Sequence, residues 1–232
     1  VRQPVPASDE FLTVQDEYLK EENASRGITD FEKLVPVTSV FQPCSTTDGS
    51  GMEKNNLYLW RGDITTLKID AIVNAANSGL TGCWQPNHSC IDNCIHTFAG
   101  IQLRHTCAQI MKKQGHEEPT GQAKITPAFN LPCKYVLHTV GPIIYGELTG
   151  QDRTLLASCY KNCLDLASKN GCKSIAFCCI STGVFRFPQE EAAKIAIATV
   201  KNWQQNHGEK IDVVFNVFGD ADEAIYKKLL SE

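Results

Sequence analysis

The sequence predicts an α/β protein, a three-layer α/β/α sandwich around a mostly parallel sheet. Two observations carry that expectation. Five short runs, NLYLWRGDIT, DAIVNAAN, KYVLHTV, SIAFCCI and DVVFNVF, are nearly continuous in aliphatic, β-branched and aromatic residues. Strands covered on both faces read that way. Stretches long enough for several helical turns, 92–113, 152–170 and 189–207, stand between the later runs, and 222–230 closes the chain. Strand and helix in alternation imply parallel strands joined by helical crossovers.

Taken in order, residues 8–33 place Phe11, Leu12, Val14, Tyr18 and Leu19, then Phe31 and Leu34, at helical spacing, which predicts two short helices. The polar stretch PCSTTDGSGMEKNN (43–56) lacks periodicity and reads as a loop or linker. Residues 1–55 are therefore expected to form a helical extension, and 56–232 the α/β domain. At 232 residues the chain is long enough for one such domain with a full core.

Composition narrows the function classes. Net charge is −4 with no basic cluster, so the electrostatic footprint of a nucleic-acid polymer-binding protein is missing. No run is long and apolar enough for a membrane span, and no secretion signal is visible, so a cytoplasmic protein is expected. Eleven cysteines in a reducing compartment lean toward metal binding or catalysis, with several, such as Cys178 and Cys179, serving as small buried hydrophobes.

In a sheet of this kind ligands collect at the carboxyl ends of the strands. Three such ends carry polar residues. Asp63 and Ile64 follow the first strand; a carboxylate there could accept from an exocyclic amine or simply cap a turn. Asn74 and Asn77 frame NAAN, where an amide suits a vicinal diol or its own turn. Ser181, Thr182, Gly183, Val184 and Phe185 precede a helix near Gln189, a setting in which backbone N–H groups can hold a pyrophosphate, or a plain βα turn.

The run 79-GLTGCWQPNHSCIDNCIHTFAG-100 adds metal chemistry. Cys83, His88 and Cys90 form C-x4-H-x-C in a loop kept irregular by glycine and proline. Two thiolates and an imidazole suit one Zn²⁺, and three protein ligands leave a fourth position open, as in catalytic sites. A four-ligand structural knot including Cys94 or His96 is the competing arrangement. Asp92, two residues beyond Cys90, sits at a helix N-terminus, where the macrodipole favours a carboxylate in any role.

Taken together, GDIT, AIVNAAN, CIDNCIH, GQAKITPAFNLPCKYVLHTVGP and CISTGVFRFP, in that order, resemble a macrodomain of the MacroD type from about Asn56 onward. Replacement of that family's polyglycine by GCWQPNHSC, with the helical extension, is similar to the zinc-containing microbial macrodomains that act as protein ADP-ribose hydrolases. The resemblance implies an ADP-ribose pose. Asp63 and Ile64 would hold the adenine with Phe218 against it, and Ser181 to Phe185 would cradle the diphosphate. Asn77, Ile91 and Asp92 would flank the distal ribose, facing a zinc on Cys83, His88 and Cys90. It implies catalysis by Asp92 and Asn77 on a mono-ADP-ribosylated protein, most simply an Asp or Glu ester, by a monomer. A non-catalytic ADP-ribose reader with structural zinc, and an esterase on small ADP-ribose derivatives, are the alternatives it leaves.

Overall fold

The computed structural model describes residues 3–37, 56–208 and 210–231. The polar stretch 43–56 lies outside them except for Asn56, as does the expected boundary at 55.

Helix α1 (Asp9–Ser25) opens the chain, its first turn capped by Ser8, whose hydroxyl accepts from Phe11 N at 3.3 Å. The second helix expected in the extension is instead a 3₁₀ turn, Phe31–Lys33. Ahead of it, β1 (Thr29–Asp30) pairs in parallel with β3 (Leu67–Lys68), so this segment is drawn out along the body of the domain instead of coiling.

Six strands form the main sheet: β2 (Leu57–Arg61), β4 (Ala71–Ala75), β5 (Ala123–Pro127), β6 (Tyr135–Thr139), β7 (Ser174–Phe177) and β8 (Asp212–Val217). Their order is β2-β8-β7-β4-β6-β5. All pairings are parallel except β5–β6, which registers Ile125 opposite Leu137. This antiparallel edge strand is absent from the sequence reading, because its alternating AKITP pattern is short and only half apolar. The central strands are apolar on both faces, and Ile72, Val73, Ile175, Ala176, Val213 and Val214 are all 0% exposed. The strand read in SIAFCCI stops at Phe177; Cys178 to Ile180 already leave the sheet.

Helices α2 (Ile91–Ala99), α3 (Ile101–Gln114), α4 (Gly150–Lys169) and α5 (Gln189–Asn206), which connect strands, and the closing α6 (Asp220–Ser231) cover the sheet. Helices α1, α2 and α3 pack in one group and α4, α5 and α6 in another. The single helix expected over 92–113 is broken at Gly100, whose φ of +95° is a conformation that side chains with a Cβ rarely adopt. Among the described residues no helix is long and apolar enough to cross a membrane.

Candidate active site

Because β2, β8, β7 and β4 are adjacent and parallel, their carboxyl ends line one edge of the sheet. The loops leaving that edge, with the first turn of α2, carry every site residue expected from the sequence. Cross-bonds hold the loops side by side: Gly62 N donates to Val217 O at 3.1 Å, Asn216 Nδ2 to Gly62 O at 2.9 Å, and Ala76 N to Thr139 O at 2.9 Å.

Asp92 lies at the start of α2, 5% exposed. Asn74 Nδ2 donates to its Oδ1 at 2.8 Å, and Asn77 Nδ2 reaches Oδ2 at 3.4 Å while also donating to Gly82 O at 3.0 Å. Burial pushes the Asp92 carboxyl up to about 6, against the bond from Asn74 and the charge of Arg104, which pull it down. The two asparagines of NAAN, equivalent on paper, thus divide: Asn74 is fully buried behind the carboxylate, and Asn77 is half-buried at the rim.

The loop before α2 brings Cys83, His88 and Cys90 together, their ligand atoms within 4.8 Å of one another. Cys83 Sγ and His88 Nδ1 are 3.4 Å apart, and Asn93 Nδ2 donates to His88 O at 2.8 Å, tying the loop to α2. All three residues are half-buried, with soft sulfur and borderline nitrogen donors that suit zinc. Burial, with the neighbouring Cys83 sulfur, raises the Cys90 thiol to about 11. Cys94 is not part of this cluster, and burial, with the charge of Asp63, pushes its thiol up. His96 joins a different cluster with Cys107 and His138.

That second cluster is better described as a hydrogen-bond network than as a metal centre. His138, in the middle of β6, receives Asn74 Nδ2 at Nδ1 (3.2 Å) and meets Thr126 Oγ1 at Nε2 (3.0 Å), so both ring nitrogens are occupied. Burial holds its imidazole down to about 4, hence neutral. His96, also neutral by burial, stands 3.5 Å from Asp92 Oδ1 without hydrogen-bond alignment. Thr126, His138, Asn74 and Asp92 therefore form one buried chain of polar groups that fixes the carboxylate. The sequence reading missed His138 and Thr126; a histidine inside an otherwise apolar strand was the available signal.

At the end of β2, Asp63 caps the 3₁₀ turn Ile64–Thr66, accepting from Thr65 N at 2.9 Å. Its Oδ2 pairs with Arg26 of the extension. Ser181 is buried with φ +66°, Phe185 half-buried, and Gly183, Val184 and Phe218 exposed at the rim. Phe185 O accepts from Ile144 N at 2.9 Å, anchoring the 181–185 loop to the segment after β6. Ile64 is buried beneath the turn, and Ile91 opens α2 between the two cysteine-bearing segments.

The Macro domain family matches residues 73–196. A "Protein-ADP-ribose hydrolase" of Treponema medium is 63% identical over 231 residues, covering 100% of this chain and 84% of that protein. One from Staphylococcus aureus (strain MSSA476) is 49% identical over 229 residues, covering 98% and 80%. Among solved structures, a Trypanosoma brucei macrodomain in complex with ADP-ribose superimposes with a TM-score of 0.73 at 31% identity, covering 97% of this chain and 92% of that one. A mutant Oceanobacillus iheyensis macrodomain with ADPR gives 0.70 at 37% identity, covering 78% and 94%.

Proposed function

The chain belongs to the macrodomain family, and from that premise we propose that it hydrolyses mono-ADP-ribose from protein side chains, with Asp and Glu esters as substrates. The observation that carries this reading is the Asp92 carboxylate, fixed on one oxygen by Asn74 and turned on the other toward Asn77, two residues from a Cys/His triad. A reader needs pocket walls; a buried carboxylate with a dedicated support chain is a cost that binding alone does not require. The relatives' names point the same way.

In the proposed pose the adenine sits at Asp63, Ile64 and Phe218, the diphosphate at Ser181 to Phe185, and the distal ribose against Asn77, Ile91 and Asp92. Asn77 orients the ribose diol through its amide. Asp92 Oδ2 accepts the proton of the attacking water as the bond between the anomeric carbon and the ester oxygen breaks. The side-chain carboxylate leaves, and ADP-ribose is released with a hydroxyl at that carbon. Holding these groups in place is itself worth several kcal/mol, on the order of 7–11 in favourable intramolecular cases. Cys83, His88 and Cys90 would hold one zinc ion, which when bound would supply Lewis-acid polarisation and a template for the ribose hydroxyls.

The test is release of ADP-ribose from a protein modified on acidic side chains, using wild type and Asp92→Ala. Removal of a general base lowers turnover by roughly 10²–10⁴-fold. We expect a loss of that size in Asp92→Ala with ADP-ribose affinity retained. Binding without release in the wild type would assign the chain as a reader.

A further inference from the structure

The N-terminal extension reaches into the nucleotide side of the rim. Arg26, the C-cap of α1, places its guanidinium 3.4 Å over the centroid of the Phe98 ring and donates from Nη1 to Asn23 Oδ1 at 3.1 Å. Its Nη2 bonds both Asp63 Oδ2 and Thr65 Oγ1, the latter at 2.8 Å. Thr65 Oγ1 in turn donates to Asp63 Oδ1 at 2.6 Å, and Thr65 N to the same oxygen at 2.9 Å. The three side chains form a closed ring that occupies both lone pairs of Asp63 Oδ1 and one of Oδ2. One acceptor position remains on a carboxylate whose side chain is 38% exposed.

The ring is anchored from both directions. Asn23 Nδ2 donates to Phe98 O (3.2 Å) and Asn130 O (2.7 Å), fixing the end of α1 on the domain. Immediately after Arg26, β1 pairs with β3, and Lys68 Nζ bonds Asp30 Oδ2 at 3.2 Å. The turn that carries Asp63 is therefore clasped between α1 and β1.

We propose that Arg26 is a specificity-determining positioning residue for the base: together with Thr65 it fixes the Asp63 carboxylate and aims its remaining lone pair at the exocyclic amine of adenine. The inference rests on the reading of Asp63 as the adenine contact. A base bearing a carbonyl at that position would set oxygen against oxygen, so the extension makes the site discriminate between amino and oxo purines.

The experiment is calorimetric binding of ADP-ribose and of its hypoxanthine analogue, inosine diphosphate ribose, to the full chain and to Arg26→Met, Arg26→Lys and Asp63→Ala. Thermal melts run on each. A hydrogen bond to a charged group should make wild type prefer ADP-ribose by roughly tenfold or more. Arg26→Met should bring the two affinities within about twofold, and Arg26→Lys, which keeps the charge but not the fork, should lie between. If Arg26→Met does not fold, Arg26→Lys carries the comparison, and a ratio as in wild type overturns the inference. A role in folding alone would lower both affinities together and leave their ratio in place, which also overturns it. Asp63→Ala separates the two layers. Loss of preference there with none in the arginine variants defeats the inference and keeps the adenine contact; no change in Asp63→Ala defeats the contact itself.

Discussion

His138 occupies the middle of β6 with no exposure, bonded at both ring nitrogens and held neutral to about pH 4. The unfolded chain protonates the same imidazole near pH 6.5, so below that value the unfolded state binds the extra proton and stability falls as pH drops. From pH 7 to pH 5 this single residue should cost roughly 2 kcal/mol. Asp92, raised to about 6, acts in the opposite sense over the same interval, and His96 in the same sense as His138. Urea unfolding of wild type and His138→Gln at both pH values isolates the contribution: wild type should lose about 2 kcal/mol more than the variant. Equal losses would mean that the network leaves His138 free to protonate in place. Asp92 itself was legible in the sequence from its place beside Cys90 at a helix start. Its supports were not, because Asn74 bonds it across 18 positions and His138 is brought to Asn74 only by the β4–β6 register, 64 positions away.

Among the elements, the 181–185 loop after β7 depends on a close approach that the sequence does not display. A Cβ at Gly141 would stand 2.0 Å from Ser181 Oγ and 2.9 Å from Ile180 Cγ2. The glycine after β6 therefore sets how near the 181–185 loop comes to its neighbour. Gly141→Ala must push Ser181 aside, and overpacking of this kind costs about 1–3 kcal/mol. We expect ADP-ribose affinity to fall by roughly tenfold or more, while turnover at saturation changes less, because Asp92 and Asn77 sit on other elements. Calorimetry and saturation kinetics on the variant measure both. The βα order and most element limits were readable from apolar runs. The break at Gly100 and the edge strand β5 were not, since one depends on a backbone angle and the other on a pairing made only in the folded sheet.

For the whole molecule, the strand order β2-β8-β7-β4 converts loops far apart in sequence into one continuous rim. The sequence reading reached that rim from motifs alone, and the described residues place Asp63, Asn77, Asp92 and the 181–185 loop along it. The contact between the extension and that rim was not legible. Arg26 meets Asp63 across 37 positions, and nothing in the residues 8–33 marks an arginine for that contact. A net charge of −4 offers no general attraction for an anionic nucleotide, so recognition must come from groups fixed at the rim. In the proposed function, Asp92 and the Cys83/His88/Cys90 loop act together as a hydrolytic site. The most direct measurement is release of ADP-ribose from acidic side chains before chelation, after it, and after zinc is restored, with metal content and circular dichroism followed throughout. Under that reading, release stops on chelation and returns with zinc while the fold stays unchanged. Undiminished release from protein shown to contain no metal would contradict it.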